Sequence, residues 1–535
     1  MRWWGWGEDG HAVQLPPVAE DMLRDELGVD PGARRPPVGL EQVSVPDSRL
    51  SGPARERLAA AVGAERVLDG REDRIAHAVG RSYPDLVRIR SGDASSAPDA
   101  VVLPASAEQV AAVLAACAEQ RVAVTPFGGG TSVVGGVEPV RDGMAAAISL
   151  DLRRLDACVE VDRTSLTARL DAGLFGPEAE RRLGAEGVTL GHCPQSFEYS
   201  TVGGWVATRS AGQASSGYGR IDELVEGLRF VAPAGELNMR ERPASAAGPE
   251  LRELLVGSEG VLGVVCEATL RVRPAPQQRR YEGWSFRSFA EGCEALRVLA
   301  QADAAPDVMR LSDEAETGLS FAAAPPGGRA ERVVKRYLRM AGHERGCLAI
   351  VGVEGDEEDV ERRRLRAAAL LRGGGGLSLG RRPGEAWLRS RFAGPYLRDE
   401  LLTRGVLVDT LETATSWSNL TPLYEAVGAA LRRALGSTSL VTCHVSHLYR
   451  SGASLYFTFF AGQADDALGQ WRAAKEAASQ AIVDGGGTIT HHHGVGRDHL
   501  PWMRAEVGEL GLELLRAAKE RLDPAGVMNP GKLVT

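Results

Sequence analysis

A glycine loop at the end of a strand–helix–strand pattern is the feature that most constrains how this chain can fold. Residues 100–104 and 122–125 are short apolar runs of the kind that form buried strands. Between them, Ser106 and Gln109 make a capping-box pattern at the start of a predicted amphipathic helix. The loop follows the second run directly, and it consists of Pro126, Phe127, Gly128, Gly129, Gly130, Thr131 and Ser132.

The place of the glycines in this pattern argues against a nicotinamide-binding Rossmann domain. In a Rossmann fingerprint the glycines follow the first strand and open a helix. Here they follow the second strand, and residues 132–139 contain further glycines and a proline instead of a helix pattern. A loop without side chains still offers consecutive backbone N–H groups to a pyrophosphate. Taken alone, the loop is equally compatible with a mobile surface turn.

The composition is that of a folded enzyme and excludes several other classes of protein. At 535 residues with 44% hydrophobic residues, the chain predicts two or three domains. The net charge of −9 is spread without long single-sign runs, so we expect no nucleic-acid partner. The seven cysteines are dispersed without a Cys-x-x-Cys pair, which is typical of a reducing compartment, and we expect a cytoplasmic location.

The two ends of the chain predict neither export nor a membrane-spanning helix. Residues 1–6 lack the apolar core of a signal peptide, and no apolar run approaches the roughly 20 residues that a membrane helix needs. Residues 532–535 do not match a peroxisomal Ser-Lys-Leu signal. The tryptophans Trp3, Trp4 and Trp6 would suit a membrane interface or, as the simpler use, a packing anchor for the N-terminal segment.

Three further segments carry motifs that can be compared together with the glycine loop. Residues 191–219 include Ser-Thr-Val-Gly-Gly-Trp-Val-Ala-Thr-Arg, residues 255–274 include Gly-Ser-Glu-Gly-Val-Leu-Gly-Val-Val, and residues 522–532 read Leu-Asp-Pro-Ala-Gly-Val-Met-Asn-Pro-Gly-Lys. Together with the loop, and in this order, they resemble the FAD-linked oxidase superfamily that includes vanillyl-alcohol oxidase and p-cresol methylhydroxylase (PCMH). The resemblance covers the chain from about residue 96 to its end.

The resemblance implies an α+β fold built around a flavin. We expect a helical N-terminal segment at 1–95, a two-lobed PCMH-type FAD-binding domain at 96–275, an inserted α+β cap domain for the substrate at 276–485, and a segment at 486–535 that returns to the flavin. No histidine lies between His77 and His192, which predicts noncovalent FAD. Besides the loop, the expected FAD contacts are Gln195, Ser196, Thr201, Gly204, Thr208, Arg209, Ser210, Ala211, Glu259, Gly260, Val261, Leu262, Gly263, Val264, Val265 and Asn529.

Within this superfamily, three features resemble the alkyldihydroxyacetonephosphate synthase family of ether-lipid enzymes. They are Arg-Trp-Trp-Gly-Trp-Gly at residues 2–7, the ten-residue motif at 200–209, and three consecutive histidines before Gly-Val-Gly at 494–496. Relatives that dehydrogenate D-2-hydroxy acids carry a second metal-binding histidine where this chain has Tyr456, and a glutamate where it has His492. The motif at residues 2–7 extends the resemblance to nearly the whole chain.

The resemblance to the synthases implies the exchange of the acyl chain of acyl-dihydroxyacetone phosphate for a fatty alcohol, with no net redox change. FAD would act as a nucleophile that traps the substrate, instead of as an electron carrier. We expect a homodimer that works on these lipid substrates and associates peripherally with a membrane. The alternatives are an FAD-dependent oxidoreductase of a 2-hydroxy acid or alcohol, and a flavin-binding protein without catalysis.

Four residues are the candidate catalytic groups, because such chemistry needs a group that removes a proton beside the carbonyl. The resemblance assigns Tyr456 as a proton acceptor or donor, although a tyrosine in this apolar strand would also suit the core. His491, His492 and His493 would supply acid–base groups and positive charge near neutral pH. Because neighbours on an extended segment point to opposite faces, we expect no metal at these histidines.

Two arginines match substrate-binding positions of the synthases, and a planar guanidinium suits a phosphate. Arg398 is followed by Asp399, so a surface ion pair is its alternative use. Arg310 lies between apolar residues, and we expect it to be the more buried of the two.

Overall fold

The N-terminal residues form short helices that pack against the rest of the chain. The structure is a computed structural model that describes residues 1–8, 10, 15, 17–322 and 336–534. The elements of this segment are α1 Pro17–Asp25, α2 Gly52–Val62, β1 Val67–Leu68, α3 Arg71–Ala76 and α4 Tyr83–Arg90. Leu58 of α2 is buried in the core of the first flavin lobe, whereas Leu23 of α1 and Leu86 of α4 are buried in the core of the cap. This segment therefore joins the two parts of the molecule.

The predicted strand–helix–strand unit is confirmed, and it forms the first lobe. Its elements are β2 Ala100–Val102, α5 Ala107–Gln120, β3 Val122–Phe127 and β4 Ala146–Asp151. β4 lies between β2 and β3 and is parallel to both, and β1 extends the sheet antiparallel to β2. Ser106 caps α5 by accepting the amide of Gln109, while the Gln109 side chain accepts the amide of Ala105. The glycine loop begins where β3 ends.

The second lobe is an antiparallel sheet covered by short helices. Its strands lie in the order β5, β6, β10, β8, β9, and their inward side chains pack with Trp205 and Leu183 in one core. A separate two-stranded ladder joins β7 and β11. The elements are β5 Val159–Asp162, β6 Thr167–Asp171, α6 Gly176–Ala185, β7 Val188–Thr189, α7 Val202–Thr208, α8 Ser215–Tyr218, α9 Ile221–Leu224, β8 Val225–Ala232, β9 Gly235–Met239, α10 Arg252–Leu255, β10 Val264–Arg271 and β11 Arg273–Pro274.

The cap is built on a seven-stranded antiparallel sheet in the order β15, β12, β14, β13, β17, β18, β16. Its helices pack on one large apolar core that contains Trp284, Phe286, Phe457 and Phe459. The elements are β12 Gln278–Phe286, α11 Phe289–Gln301, β13 Val308–Ser312, α12 Glu314–Ala322, β14 Cys347–Gly355, α13 Glu357–Gly373, β15 Leu377–Gly380, α14 Arg381–Ser390, α15 Gly394–Thr403, β16 Val406–Ser416, α16 Leu420–Leu435, β17 Ser439–Leu448, β18 Gly452–Gly462 and α17 Ala467–Asp484. The predicted α+β class is confirmed.

After the cap, the chain returns to the first lobe. Helix α18 Met503–Leu522 contains a non-helical Gly508, and the residues after it lie beside β3. Val124 donates its amide to the carbonyl of Val527 at 2.8 Å and accepts the amide of Asn529 at 2.8 Å. The last residues thus add a short parallel edge to the sheet that carries the glycine loop. Within the described residues, no helix is both long and apolar enough to cross a bilayer.

Candidate flavin and active site

A cavity lies between the two lobes, next to the glycine loop. Of the residues expected to contact FAD, twelve line the cavity: Pro126, Phe127, Gly128, Ser132, Thr201, Gly204, Thr208, Glu259, Gly260, Gly263, Val264 and Val265. The predicted catalytic residue His493 also lines it. Sequence reasoning missed further lining residues, including Leu152, Ala172, Gly203, Ala207 and Ser258.

The cavity walls suit FAD. They consist largely of backbone, small side chains and hydroxyls, which a pyrophosphate and an isoalloxazine ring can approach closely. In the cavity wall, Ser258 Oγ is buried without a hydrogen-bond partner among the described residues. Because buried polar atoms are normally hydrogen-bonded, this hydroxyl is free to meet a ligand.

The middle of the glycine loop does not line the cavity but packs against the chain segment behind it. A Cβ atom on Gly129 would lie 2.7 Å from the carbonyl carbon of Tyr199 and 3.1 Å from Cα of Ser200. Gly130 has a φ of +66°, in the left-handed region that favours glycine. The glycines therefore permit a close approach of two backbone segments, which sets the shape of the cavity wall.

The other expected FAD contacts outside the cavity have protein partners. Arg209 forms ion pairs with Asp222 and Glu253, and the Ser210 hydroxyl lies 3.2 Å from Nε2 of His192. The Gln195 amide donates to the carbonyl of Arg391. Val261 and Leu262 are buried in hydrophobic cores. The expected FAD contacts that do not line the cavity are Gly129, Gly130, Thr131, Gln195, Ser196, Arg209, Ser210, Ala211, Val261, Leu262 and Asn529.

Glu259 connects the flavin cavity with the histidine segment. Its carboxylate accepts the amides of Val495 and Gly496, each at 2.7 Å, and its carbonyl accepts the side-chain amide of Asn529 at 2.7 Å. Burial raises the pKa of Glu259 to about 7. Because Glu259 lines the cavity and also binds the turn after His493, it holds that histidine against the cavity wall.

The three histidines form one cluster with residues from the cap. The Glu412 carboxylate accepts the backbone amides of His491, His492 and His493 at 2.5, 3.1 and 2.9 Å. Nδ1 of His491 lies 3.0 Å from Nδ1 of His492, and the ring of His447 lies 4.9 Å from that of His491. The segment is bent, so the expectation that neighbouring rings face away from each other is wrong. Ring nitrogens of His447, His491 and His492 lie within 4.8 Å of one another. The direction of the rings therefore does not exclude a metal ion, and the absence of a metal stays a prediction.

Hydroxyl groups flank the cluster. The Tyr449 hydroxyl lies 2.5 Å from Nε2 of His491, and the Ser215 hydroxyl lies 2.6 Å from Nδ1 of His447. Sequence reasoning missed these residues and Glu412. The sequence signal available for this part of the site was His447, which precedes Tyr456 by nine residues.

Tyr456 faces this cluster from strand β18. Its ring stacks on His444 at 4.8 Å and lies 6.0 Å from His492 and 5.5 Å from His493. Burial raises the pKa of Tyr456 to about 12, so its hydroxyl keeps its proton at neutral pH. Tyr456 is therefore brought together with the histidines and is suited to donate a hydrogen bond.

The histidine rings are buried and uncharged at neutral pH. Burial lowers the pKa of His493 to about 3 and holds the pKa values of His491 and His492 below the ordinary value. The expectation that these residues supply positive charge is therefore wrong, because a buried imidazole loses the hydration that stabilises its cation. A neutral ring can still accept a proton from a bound molecule.

The two predicted arginines lie at different places. Arg310 contacts both ring nitrogens of His444, at 3.1 and 3.0 Å, and Glu316 at 2.5 Å. His444 in turn stacks on the ring of Tyr456, so Arg310 lies one side chain away from Tyr456. Arg398 instead donates to the carbonyl of Arg81 at 2.8 Å. The side chain of Arg398 is 15% exposed and that of Arg310 is 26% exposed, so the expectation that Arg310 is the more buried is wrong.

The N-terminal tryptophan motif packs beside Arg398. Trp6 is 2% exposed, its amide donates to the Asp399 carboxylate, and its ring meets Tyr199 edge-on at 5.4 Å. Arg81 binds the carbonyls of Arg2 and Gly5. Arg398 forms the ion pair with Asp399, at 3.3 Å, but both side chains are largely buried, so the pair does not lie on the surface. Trp6 is therefore a packing anchor.

Comparison with known proteins agrees with this geometry. Residues 98–238 match the FAD binding domain family, and residues 275–533 match the family of FAD linked oxidases, C-terminal domain. The alkyldihydroxyacetonephosphate synthase of Dictyostelium discoideum is 36% identical over 88% of this chain and 79% of its own length. That of Trypanosoma brucei brucei is 33% identical over 100% of this chain and 92% of its own length.

Solved structures give the same result. A crystal structure of an alkyldihydroxyacetonephosphate synthase superposes with a TM-score of 0.86 and 32% identity, over 100% of this chain and 99% of the other. p-Cresol methylhydroxylase superposes with a TM-score of 0.64 at 14% identity, over 90% of this chain and 96% of the other, which shows a shared fold. The chain belongs to the alkyldihydroxyacetonephosphate synthase family of FAD-linked oxidases, and it is an enzyme whose cofactor is FAD.

Proposed function

We propose that this protein exchanges the acyl chain of acyl-dihydroxyacetone phosphate for a fatty alcohol, a step of ether-lipid synthesis. The observation that carries the proposal is the cluster of Tyr456 with buried, neutral histidines, one of which lines the flavin cavity. The membership of the synthase family supports it. When bound, FAD supplies the nucleophilic centre of the exchange, and the protein residues handle the proton and the phosphate.

Each candidate residue has a role that fits its surroundings. His493 lines the cavity, and it is the proposed acceptor of the proton from the carbon beside the substrate ketone. Tyr456 keeps its own proton and donates a hydrogen bond to the ketone oxygen as negative charge develops there. His491 and His492 complete the acid–base cluster. Arg310 and Arg398 are the proposed substrate-binding residues, because a guanidinium can bind a phosphate through two parallel hydrogen bonds.

Noncovalent FAD is held by the cavity in this proposal. The residues lining the cavity make the direct contacts, whereas the expected contacts outside it, such as Gly129 and Arg209, hold the walls in place. Denaturation followed by filtration should release all of the flavin.

The test is a direct assay of exchange. The purified, FAD-loaded protein is incubated with acyl-dihydroxyacetone phosphate and radiolabelled hexadecanol, and in parallel with 2-hydroxy acids and an artificial electron acceptor. Labelled ether product without reduction of the acceptor is expected. Reduction of the acceptor by a hydroxy acid without ether product would instead establish the oxidoreductase.

Tyr456→Phe tests the central residue. We expect the variant to keep the flavin spectrum but to lose exchange by about 100-fold or more, because it removes a donor at the reacting carbonyl. Tyr83→Phe is the matched control, since Tyr83 is 1% exposed and its hydroxyl bonds to Gln463 instead. Unchanged exchange in Tyr456→Phe would rule out this role.

The assembly and location are further parts of the proposal. We propose a homodimer, supported by the exposed side chains of Leu510 and Leu514, which lie one helical turn apart in the part of α18 that follows Gly508. We also propose that the protein associates with a membrane, which the exposed side chains of Tyr337 and Met340 support. A cytoplasmic location is supported by the seven free cysteines. Light scattering tests the dimer, and sedimentation with phospholipid vesicles tests the association with a membrane. The division at residues 95, 275 and 485 stays a prediction.

A further inference from the structure

Glu412 is a carboxylate buried beside the candidate active site. It lies on β16 directly opposite Tyr456 of β18, and residues opposite each other in an antiparallel pair project to the same face of the sheet. Its side chain is 0% exposed. An ionised group at such a position is stable only if several donors surround it.

The donors come from the histidine segment. Glu412 accepts three consecutive backbone amides, from His491, His492 and His493, and the Thr490 hydroxyl at 2.7 Å. Although burial opposes ionisation, the positive charge of the neighbouring histidines when they are protonated and the hydrogen bond from Thr490 hold the pKa of Glu412 well below its ordinary value. One side chain from the cap sheet thus fixes the backbone of all three histidines.

Glu412 also lies beside two of the imidazole rings. Oε2 is 3.6 Å from Nδ1 of His492, and Oε1 is 3.7 Å from Nδ1 of His493. Arg220 places positive charge near His492, and Lys475 places it near His493, so Glu412 is the anion that balances a protonated ring. Without it, a proton taken up by the cluster would add to existing positive charge.

We propose that Glu412 is the positioning residue of the histidine cluster: it fixes residues 491–493 against the flavin cavity and provides the negative charge beside the ring that takes the substrate proton. The inference rests on the proposed function. In the step concerned, the C–H bond beside the ketone breaks, its electron pair delocalises onto the ketone oxygen, and the proton forms an N–H bond with the His493 ring. Glu412 does not touch the substrate.

Glu506 offers a matched control. Its carboxylate accepts the amide of Ile489 at 3.0 Å and the Thr488 hydroxyl at 2.6 Å, so it also holds the segment that leads to the histidines. It is exposed, and its hydrogen bonds end before His491. A purely structural role for Glu412 predicts similar effects at both positions.

The experiment compares Glu412→Gln, Glu412→Asp and Glu506→Gln in the full-length, FAD-loaded protein. The measurements are kcat and KM for exchange, and the release into water of tritium from the carbon beside the ketone. For Glu412→Gln we expect kcat and tritium release to fall about 10- to 100-fold, with KM within about threefold and an unchanged flavin spectrum. Glu412→Asp, which keeps the charge, should recover part of the loss, and Glu506→Gln should stay within about twofold.

Other outcomes separate the two proposals. If wild type makes no ether and releases no tritium, the proposed function fails, and the NMR spectrum of ring-labelled histidine still tests Glu412. At least two histidine signals should shift in Glu412→Gln but not in Glu506→Gln, and the absence of such shifts overturns the inference. Wild-type rates in Glu412→Gln, or equal losses in Glu506→Gln, overturn it as well. If Glu412→Gln does not load FAD, Glu412→Asp is the test. The shorter aspartate cannot reach all three backbone amides, so wild-type kcat and wild-type histidine signals in this variant would overturn the inference.

Discussion

Replacement of Gly129 by alanine tests the role of the glycine loop. The new Cβ would lie 2.7 Å from the carbonyl carbon of Tyr199 and closer still to its oxygen. Ordinary carbon contacts are about 3.5–4.0 Å, so the two segments would have to separate by at least ~1 Å. Both sides of this contact are backbone, which cannot move away as a flexible side chain does. The substitution therefore displaces the cavity wall.

The expected loss follows from the usual cost of overpacking. A displacement of this kind costs about 1–3 kcal/mol. If the wall keeps its native position only when FAD is bound, this cost weakens FAD binding roughly 5- to 150-fold, since about 1.4 kcal/mol is a factor of ten. Titration of the apoprotein with FAD, followed by flavin fluorescence, measures the change. Thermal unfolding of the apoprotein shows the part of the cost that appears as lost stability.

Gly184→Ala is the matched control, because Gly184 lies in α6 and a Cβ there would meet nothing within 4 Å. It should keep wild-type FAD affinity and gain up to about 1 kcal/mol of stability from its helical position. If Gly129→Ala binds FAD with wild-type affinity and unfolds at the wild-type temperature, the close approach does not shape the cavity and the argument is refuted.

Two further predictions concern stability. Burial lowers the pKa of His499 to about 3, from an ordinary value of 6.5. Between these pH values the folded protein binds fewer protons than the unfolded chain, so the stability present above pH 6.5 is lost as the pH falls. Urea titrations at several pH values measure how steeply the free energy of unfolding rises with pH. Between pH 3 and 6.5 this slope should be smaller in His499→Gln than in the wild type by about 1.4 kcal/mol per pH unit, and an unchanged slope would contradict the assignment. Trp6→Ala should lower the free energy of unfolding by about 3–5 kcal/mol, because Trp6 is buried against Tyr199. Trp3→Ala, at a partly exposed residue, should cost clearly less, and equal costs would show that Trp6 is not the anchor.

Features with a local cause could be predicted from the sequence. The strand–helix–strand unit follows from two apolar runs around an amphipathic segment capped by Ser106, and the structure has each element within a few residues. The order of the four flavin motifs was sufficient to recognise the superfamily, and twelve of the expected FAD contacts line one cavity. The resemblance also identified Tyr456 and the histidines, which the structure brings together.

Long-range contacts could not be predicted in this way. Glu412 precedes the histidines by about 80 residues in a strand without a motif, and only the pairing of β16 with β18 places it beside them. The same holds for Tyr449 and Ser215, whose hydroxyls meet ring nitrogens from distant segments. The sequence contains no local pattern for a contact that forms only when the cap meets the second lobe or the C-terminal segment.

The sequence by itself determined the strand–helix–strand unit and the position of the glycine loop, because backbone propensities and apolar periodicity act over a few residues. The class of fold and the binding of a flavin followed from the resemblance of its motifs to a known superfamily. Tertiary structure alone decided the charge state of the site. Three histidines near neutral pH were expected to carry positive charge, but enclosure by the cap and the lobes removes the water that stabilises an imidazolium, so the rings are neutral bases. Gly129 shows the same division: its place in a glycine loop is local, whereas the Tyr199 carbonyl that leaves no room for a side chain belongs to a segment about 70 residues away.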